Sequence, residues 1–167
     1  MKIKTPAVFL SFDDCHIAEW HETLPLFERY DARVTFYVSY VRDIDDTGWR
    51  LLGELREAEH TVAFHGLNHM RAGEIVEKES CEAYLARDIH TGLKIMEEHG
   101  FDNIRHFSYP YGNRTEESDR CLWKIFDTLR MGESIIIRPR RYAKHDSFAR
   151  SVSGHALNVR LATSKMG

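Results

Sequence analysis

The sequence contains little cysteine. Three cysteines occur among 167 residues, at Cys15, Cys81 and Cys121, and no two of them have CxxC spacing. Such a sparse, odd-numbered set argues against a disulfide framework and against a structural zinc site built from thiolates. It favours a reducing compartment, so we predict a cytoplasmic location for the sequence as it stands.

Long apolar runs are also absent from the sequence. No stretch approaches the ~18 consecutive apolar residues of a membrane-spanning helix. The N-terminal run at 7–12, AVFLSF, is too short for the apolar region of a signal peptide and is followed at once by two acids, so we interpret it as a strand. An extracytoplasmic location stays open if residues preceding this sequence carried a signal.

The sequence has no excess of one charge. It contains 23 Lys and Arg against 26 Asp and Glu, which gives a net charge of −3. This balance excludes the strongly basic surface that nucleic acids or anionic membranes attract. The basic cluster at 138–141, RPRR, is interpreted as a solvated loop. We therefore expect neither nucleic acid nor membrane as a partner.

What the sequence does contain is a regular alternation of strand-like and helix-like segments. Apolar, β-branched or aromatic runs predict strands at 7–12, 32–40, 61–65, 104–110 and 133–139. Amphipathic segments predict helices at 17–30 (with a kink near Pro25), 46–60, 73–100 and 115–132. This order predicts one α/β domain over 1–167, with helices covering a parallel sheet that is doubly wound or barrel-like. Beyond residue 139 the pattern weakens, with one more possible strand at 155–162.

Polar residues gather where the predicted strands end. The first strand ends at Asp13 and Asp14, and the third ends at His65, with His69 four residues later. The fourth strand runs into 108–112, SYPYG. Because the working site of a parallel α/β fold lies at the carboxyl ends of its strands, we expect these residues to share one site.

The segment HGLNH, residues 65–69, is a candidate metal-binding motif. A spacing of four would put both imidazoles on one face of a helical turn. Gly66 follows the first His, so the HExxH motif of metalloproteases is absent. Two His and one Asp from a neighbouring strand end would make a three-ligand set that leaves a position open for water, as in catalytic zinc sites. The second Asp could hold or deprotonate that water. The alternative is that one Asp caps the next helix and the other is solvated.

Three motifs, in order, resemble those of the polysaccharide deacetylase family, the NodB-homology domain of carbohydrate esterase family 4. SFDD at 11–14 resembles the family's TFDD, HGLNH at 65–69 resembles its H-[ST]-x-x-H, and FSYPYG at 107–112 resembles its R-x-P-Y-G turn. The resemblance covers about residues 5–140. It implies a distorted (β/α) barrel of the NodB-homology type, which in a chain of this length can lack its last strands.

The resemblance also implies a metal-dependent hydrolase that removes N-acetyl groups from amino-sugar polymers or oligomers, a role in carbohydrate metabolism. A divalent metal, usually zinc, would be bound by Asp14, His65 and His69. Asp13 would be the general base for a metal-bound water that attacks the acetyl carbonyl.

The Pro-Tyr-Gly turn would complete the site by the same resemblance. The backbone N–H of Tyr111 would help to stabilise the oxyanion, and Pro110 and Gly112 would shape the turn that presents it. Tyr109, Pro110 and Tyr111 are candidates to bind the sugar.

The sequence departs from the family pattern at two of these motifs. Cys15 stands where the family usually has Gly after the second Asp, and we interpret it as a bystander because the open coordination position is needed. Ser108 replaces the Arg that normally pairs with the catalytic Asp, and Arg105 and Arg114 are the candidates to replace that Arg.

The family's last motif, Leu-x-His, supplies the general acid and is not found. The segment LNV at 157–159 has no His, and His145 and His155 are candidates by residue type alone. Two alternatives therefore stay open: a hydrolase of another small amide or cyclic imide, and a catalytically impaired carbohydrate-binding homologue. A sheet that ends early would expose an edge, which makes a homo-oligomer plausible.

Overall fold

Five parallel strands form the centre of the molecule in the computed structural model, which describes residues 9–131 and the strands at 134–137 and 160–161. They lie side by side in chain order: β1 (Leu10–Asp14), β2 (Ala32–Val38), β3 (Thr61–Phe64), β4 (His106–Ser108) and β5 (Thr128–Met131). Each pairs with the next in parallel. Two antiparallel strands join them, β6 (Ser134–Ile137) on β5 and β7 (Arg160–Leu161) on β2.

Helices connect the parallel strands, as the alternating pattern predicts. They are α1 (Ile17–Glu22), α2 (Leu24–Arg29), α3 (Asp46–Glu57), α4 (Ala72–Lys78), α5 (Cys81–Tyr84), α6 (Thr91–Glu98) and α7 (Glu116–Leu122). The predicted helix at 17–30 is broken at Thr23, two residues before Pro25. The long segment at 73–100 holds α4, α5 and α6, with a π-helical turn at Leu85–His90 between the last two. Short 3-10 turns occur at Val41–Asp43 and Pro110–Gly112.

The fifth parallel strand is not where the sequence predicts it. The helix predicted at 115–132 ends at Leu122, and β5 lies within that span, while the segment predicted as the fifth strand contributes the antiparallel β6. β5 forms because Leu129 is fully buried and pairs with Phe107 of β4. Pairing within the sheet outweighs the helical tendency of the local sequence.

Aromatic side chains from the central strands make up much of the core. Phe36, Phe64 and Phe107 of β2, β3 and β4 are fully buried. Trp20 of α1 stacks on Phe36 with ring centroids 5.0 Å apart, and Phe126 stacks on Phe107 at 5.2 Å. Trp20 fixes α1 against the sheet, and Phe126 fixes the segment that precedes β5.

The sheet is curled rather than flat. Three strands lie between β1 and β5, so these two strands would be ~19 Å apart in a flat sheet with neighbours ~4.8 Å apart. Arg130 of β5 nevertheless hydrogen-bonds to Asp13 of β1. The sheet therefore forms a curled half-barrel, and the predicted distorted (β/α) barrel is confirmed in the part of the chain that the structure describes.

Cys81 of α5 and Cys121 of α7 form a disulfide that closes a sequence separation of 40 residues. The sparse cysteine pattern predicted no such bond. The bond was missed because the packing of α5 against α7 brings together two cysteines whose spacing carries no motif. Cys15 is a free thiol.

Two further predictions can be compared with the described residues only in part. No helix described here is both long enough and apolar enough to cross a membrane. The basic cluster at 138–141 and the candidate acids His145 and His155 lie outside the described residues. Of the strand predicted at 155–162, the structure describes β7 alone.

Candidate active site

The two adjacent acids of SFDD approach the same two histidines because β1 ends at Asp14 with a turn of the backbone. Asp13 and Asp14 are the last residues of the strand, in register with Tyr37 and Val38 of β2. Neighbouring side chains of a strand would point to opposite faces. Asp14 instead has φ of 83°, in the left-handed region that few residues other than Gly adopt. This turn of the backbone lets both carboxylates approach the same two histidines.

Asp14, His65 and His69 form a compact cluster of potential ligand atoms. Nε2 of His69 lies 3.2 Å from Oδ1 of Asp14 and 3.1 Å from Nε2 of His65. The third pair, Nε2 of His65 and Oδ1 of Asp14, is 3.7 Å apart. One ligand atom from each residue therefore converges on a common point. Among the described residues, this is the set of His, Cys and acidic side chains that could hold a metal ion.

The two histidines lie on an irregular loop, and not on the helical turn that their spacing suggested. Residues 65–69 lie between β3 and α4 and have no helical structure. Gly66 has φ of 86° and His69 has φ of 52°. Such left-handed conformations are costly for His, and strained residues of this kind cluster at functional sites.

The surroundings of His65 favour a neutral imidazole whose Nε2 could bind a metal. Its side chain is buried, and its Nδ1 lies 2.8 Å from the backbone carbonyl oxygen of Ser108. A carbonyl can only accept, so Nδ1 carries the proton and Nε2 keeps its lone pair for a metal. Burial lowers the pKa of His65, against the opposing effect of Asp13, and so favours the neutral imidazole that metals bind. Two imidazoles and one carboxylate fit a divalent ion such as zinc.

Arg130 supplies the cation beside Asp13 that the third motif lacks. Its Nη2 donates to both carboxylate oxygens of Asp13 and, over 2.7 Å, to Oγ of Ser108. Its guanidinium also lies over the ring of Tyr37, 4.8 Å from the centroid. Arg130 comes from β5, where it stands in register with Ser108. We did not identify it from the sequence, because the segment that contains it was predicted to be helical.

The two arginines that we expected near Asp13 are engaged elsewhere. Arg105 pairs with Asp127 through two hydrogen bonds of 2.9 and 2.7 Å. Arg114 pairs with Asp119, with its Nε 2.9 Å from Oδ1. Neither replaces the arginine of the family motif, so that expectation is corrected in favour of Arg130.

The Pro-Tyr-Gly turn places Tyr111 at the mouth of the site. Tyr111 has φ of 58° and an exposed fraction of 62%. Its ring lies 4.6 Å from that of His69, and the Arg71 guanidinium lies over it at 4.2 Å. Tyr111 therefore lies beside the Asp14, His65 and His69 cluster.

Tyr109 and Pro110, which we expected to contact the substrate, are buried. Tyr109 is 2% exposed and donates its hydroxyl to Asp119 over 2.8 Å. Its ring packs edge-on against Phe107. Burial, followed by the nearby Asp119 carboxylate, raises the pKa of Tyr109. Both residues therefore support the turn from beneath, because the chain turns toward the surface only at Tyr111.

Tyr40 is an aromatic residue at the site that we did not predict. It follows β2 with φ of 52°, is 40% exposed, and has its ring centroid 5.7 Å from that of His69. The sequence signal that could have found it is its place just beyond a strand end. Tyr40 and Tyr111 both contact His69 and leave aromatic surface open to solvent.

Cys15 is a free thiol next to Asp14. Burial, then Asp43 and Asp14, raise the pKa of its thiol. Since the thiolate is the form that binds metals, this agrees with the interpretation of Cys15 as a bystander.

Comparison with solved structures shows what the fold is similar to. IcaB from Ammonifex degensii is 19% identical, with a TM-score of 0.64 over 77% of this chain and 60% of that one. The Streptococcus pyogenes deacetylase PplD, solved with acetate, is 18% identical, with a TM-score of 0.61 over 77% and 57%. A CE4 family pseudoenzyme from Bacillus anthracis is 16% identical, with a TM-score of 0.58 over 74% and 42%. The chain thus spans roughly half the length of such structures, and at these identities the likeness shows the fold alone.

Comparison at the level of sequence gives the family. No curated protein matches the chain. The family model described as polysaccharide deacetylase, however, matches residues 2–125. That span is most of the chain and contains the acids of β1, both histidines and the Pro-Tyr-Gly turn. The chain therefore belongs to the polysaccharide deacetylase family.

Proposed function

We propose that this protein is a metal-dependent hydrolase that removes N-acetyl groups from amino-sugar polymers or oligomers. The observation that carries the proposal is the position of Asp13 next to the Asp14, His65 and His69 cluster. Oδ2 of Asp13 lies 3.9 Å from Nε2 of His65, while Arg130 holds the same carboxylate. A base and a set of metal ligands therefore face the same small volume.

The Asp14, His65 and His69 side chains would hold a divalent ion, zinc being the first candidate. When bound, such an ion would acidify a water molecule and polarise the carbonyl of the acetyl group. Asp14 is the ligand acid, because its Oδ1 contacts both imidazoles. Asp13 stays outside the ligand set, because Arg130 engages both of its oxygens.

Asp13 would act as the general base. It takes one proton from the attacking water while the water oxygen bonds to the acetyl carbon, and the backbone N–H of Tyr111 would donate to the carbonyl oxygen as negative charge develops there. Breaking of the C–N bond then releases acetate and an amine. The amine needs a proton, and Asp13 can return the one it took. The acetic acid that forms loses its remaining proton to solvent and becomes acetate, so the reaction balances without a second acid.

The exposed rings of Tyr40 and Tyr111 suit a sugar substrate. Both lie beside His69 at the mouth of the site, so a sugar ring that presents its N-acetyl group to the cluster would pass between or over them. A small amide or cyclic imide would be hydrolysed by the same residues but would make fewer contacts with the two tyrosine rings. The argument for a catalytically impaired homologue is weaker than the sequence suggested, because Arg130 provides the missing cation.

The test of the proposal is acetate release from chitooligosaccharides by the zinc-loaded full chain. We expect turnover by the wild-type protein and a loss of about 100-fold or more in Asp13→Asn, since a positioned base contributes ~10²–10⁴. Equal release by the two proteins would exclude Asp13 as the base. Turnover of a cyclic imide panel without acetate release from sugars would favour the alternative substrate class.

A further inference from the structure

One buried carboxylate near the metal ligands has no part in the chemistry above. Asp88 lies in the π-helical turn at Leu85–His90 and is fully buried. Its Oδ1 accepts a hydrogen bond from the backbone N–H of Asn68 over 2.6 Å. Its backbone carbonyl oxygen accepts a hydrogen bond from the backbone N–H of Leu67 over 3.1 Å. Leu67 and Asn68 are two of the three residues between the ligand histidines. Asp88 therefore contacts the ligand loop, residues 65–69, from beneath.

The other oxygen of Asp88 lies against the remaining residue between the histidines. A Cβ built on Gly66 would come 2.5 Å from Oδ2 of Asp88, so no side chain fits at that position. The side chain of Asn68 in turn donates to the backbone oxygen of Arg87 over 3.0 Å. All three residues between His65 and His69 are thus in contact with the π-helical turn.

The location of Asp88 is unfavourable for an acid. Burial raises its pKa to about 6, against the opposing effect of the backbone hydrogen bonds from Asn68 and Met70. Tyr84, also fully buried, lies close to the carboxylate, and burial together with that charge raises the pKa of Tyr84. An apolar side chain would fill this space at lower desolvation cost. π-Helical turns are rare and occur often at functional sites.

We propose that Asp88 is a positioning residue that holds the ligand loop in the conformation in which His65 and His69 converge on Asp14. This inference rests on the proposed metal site and extends it. The loop needs such support because Gly66 and His69 both have left-handed backbone conformations. Without the acceptor at Asp88, the loop relaxes and the two Nε2 atoms, 3.1 Å apart here, separate. Asp88 itself does not bind the metal.

The experiment compares Asp88→Leu with Asp88→Asn in the full chain. Leu has the same branching as Asp but no acceptor, whereas Asn keeps an oxygen for the Asn68 N–H. We measure Zn²⁺ affinity by isothermal titration calorimetry and the ligand-field absorption of bound Co²⁺. Asp88→Leu should weaken Zn²⁺ binding about 10- to 100-fold, the usual effect of losing a group that orients metal ligands. Asp88→Leu should also alter the Co²⁺ spectrum. The Zn²⁺ affinity of Asp88→Asn should stay within about threefold of the wild-type affinity.

Leu55→Ala is the control for lost stability. Leu55 is fully buried in α3 and belongs to the core, away from the ligand loop. This variant should unfold more easily yet keep the wild-type Zn²⁺ affinity and Co²⁺ spectrum. A merely structural effect of Asp88 would make Asp88→Leu behave like Leu55→Ala.

The outcomes separate this inference from the function on which it rests. If the wild-type protein binds no Zn²⁺, the proposed metal site fails. If wild type binds Zn²⁺ and Asp88→Leu binds it equally well with an unchanged Co²⁺ spectrum, the role of Asp88 is overturned. Should Asp88→Leu not fold, Gly66→Ala tests the same contact from the loop. It should weaken Zn²⁺ binding similarly, and unchanged affinity in that variant would overturn the inference.

Discussion

Arg130 in β5 donates from Nη2 to both carboxylate oxygens of Asp13 in β1, although 117 positions separate the two residues along the chain. The same nitrogen also donates to Oγ of Ser108. The base of the proposed reaction and the cation that orients it therefore come from the first and fifth strands of the curled sheet.

Replacing Arg130 by Gln should lower kcat/KM for acetate release by about 100-fold, because a base displaced by ~1 Å loses about that much. Arg130→Lys should recover part of the activity, since it keeps the charge without the planar guanidinium. Zn²⁺ affinity should change little in both variants, because the hydrogen bonds described for Arg130 go to Asp13 and Ser108 and not to the three proposed ligands. Steady-state kinetics and calorimetry together measure these effects.

Arg105→Gln is the matched control, because it breaks an exposed Arg–Asp pair away from the site. Exposed pairs contribute only ~0–1 kcal/mol, so this variant should keep its activity. Equal losses in the two Gln variants would mean that Arg130 acts only through stability.

Replacing either ligand histidine should remove the metal without unfolding the protein. His65→Ala and His69→Ala each delete one of three converging ligands, so we expect no measurable Zn²⁺ binding by calorimetry. Asp13→Asn should retain most of the affinity. His90→Ala removes an exposed histidine from the π-helical turn and serves as the control. Wild-type affinity in His69→Ala would contradict the proposed ligand set.

The aromatic residues at the mouth should affect substrate binding more than chemistry. Tyr40→Ala and Tyr111→Ala each remove an exposed ring, and we expect KM for chitooligosaccharides to rise about 2- to 10-fold, as for the loss of ~0.5–1.5 kcal/mol. In Tyr111→Ala the kcat should change less than KM, because the proposed oxyanion donor is a backbone N–H. Tyr30→Ala removes an exposed ring just after α2 and should leave KM unchanged. An unaltered KM in both site variants would exclude these rings as sugar contacts.

His60 should make the fold less stable in mild acid. Its Nδ1 accepts the backbone N–H of Val34 over 3.2 Å, and burial, followed by Arg33, lowers the pKa of His60 below 6.5 against the weaker effect of Glu28. The unfolded chain therefore takes up a proton at a higher pH than the folded one. The stability from a neutral His60 is present above pH 6.5 and is lost as the pH falls through the folded pKa.

Urea unfolding of wild type and His60→Asn between pH 7 and pH 5 measures this effect. Asn can keep an acceptor for Val34 but does not titrate, and the other histidines are common to both proteins. We expect the free energy of unfolding to fall more steeply in the wild type. Parallel curves would show that His60 does not contribute to the acid sensitivity.

The disulfide between Cys81 and Cys121 should stabilise the fold by about 2–4 kcal/mol, because it closes a long loop in the unfolded chain. Adding a reductant should therefore lower the free energy of unfolding of the wild type. The double variant Cys81→Ala/Cys121→Ala should not respond to reductant. Three reactive thiols in the untreated, denatured protein would show that the bond does not form.

The sequence predicted the parts of the site that depend on local patterns. Strand ends identified Asp13, Asp14 and His65, because a parallel sheet gathers such positions at one edge. Arg130 was missed because β5 is recognisable only from its pairing with β4. The left-handed backbone at Asp14 and His69 was also not predictable, since no glycine marks it. Tyr109 was misplaced because sequence does not show which tyrosine of SYPYG is buried.

Because the sheet is curled, the proposed activity depends on complete folding of the sheet. The proposed base, its cation and the ligand histidines come from β1, β5 and the loop after β3. A chain in which only some of these strands have paired contains all of these side chains but does not bring them together. Recovery of activity after dilution from denaturant should therefore follow closure between the first and fifth strands, later than the return of helical circular dichroism. The measured activity would then be proportional to the fraction of molecules whose sheet is complete.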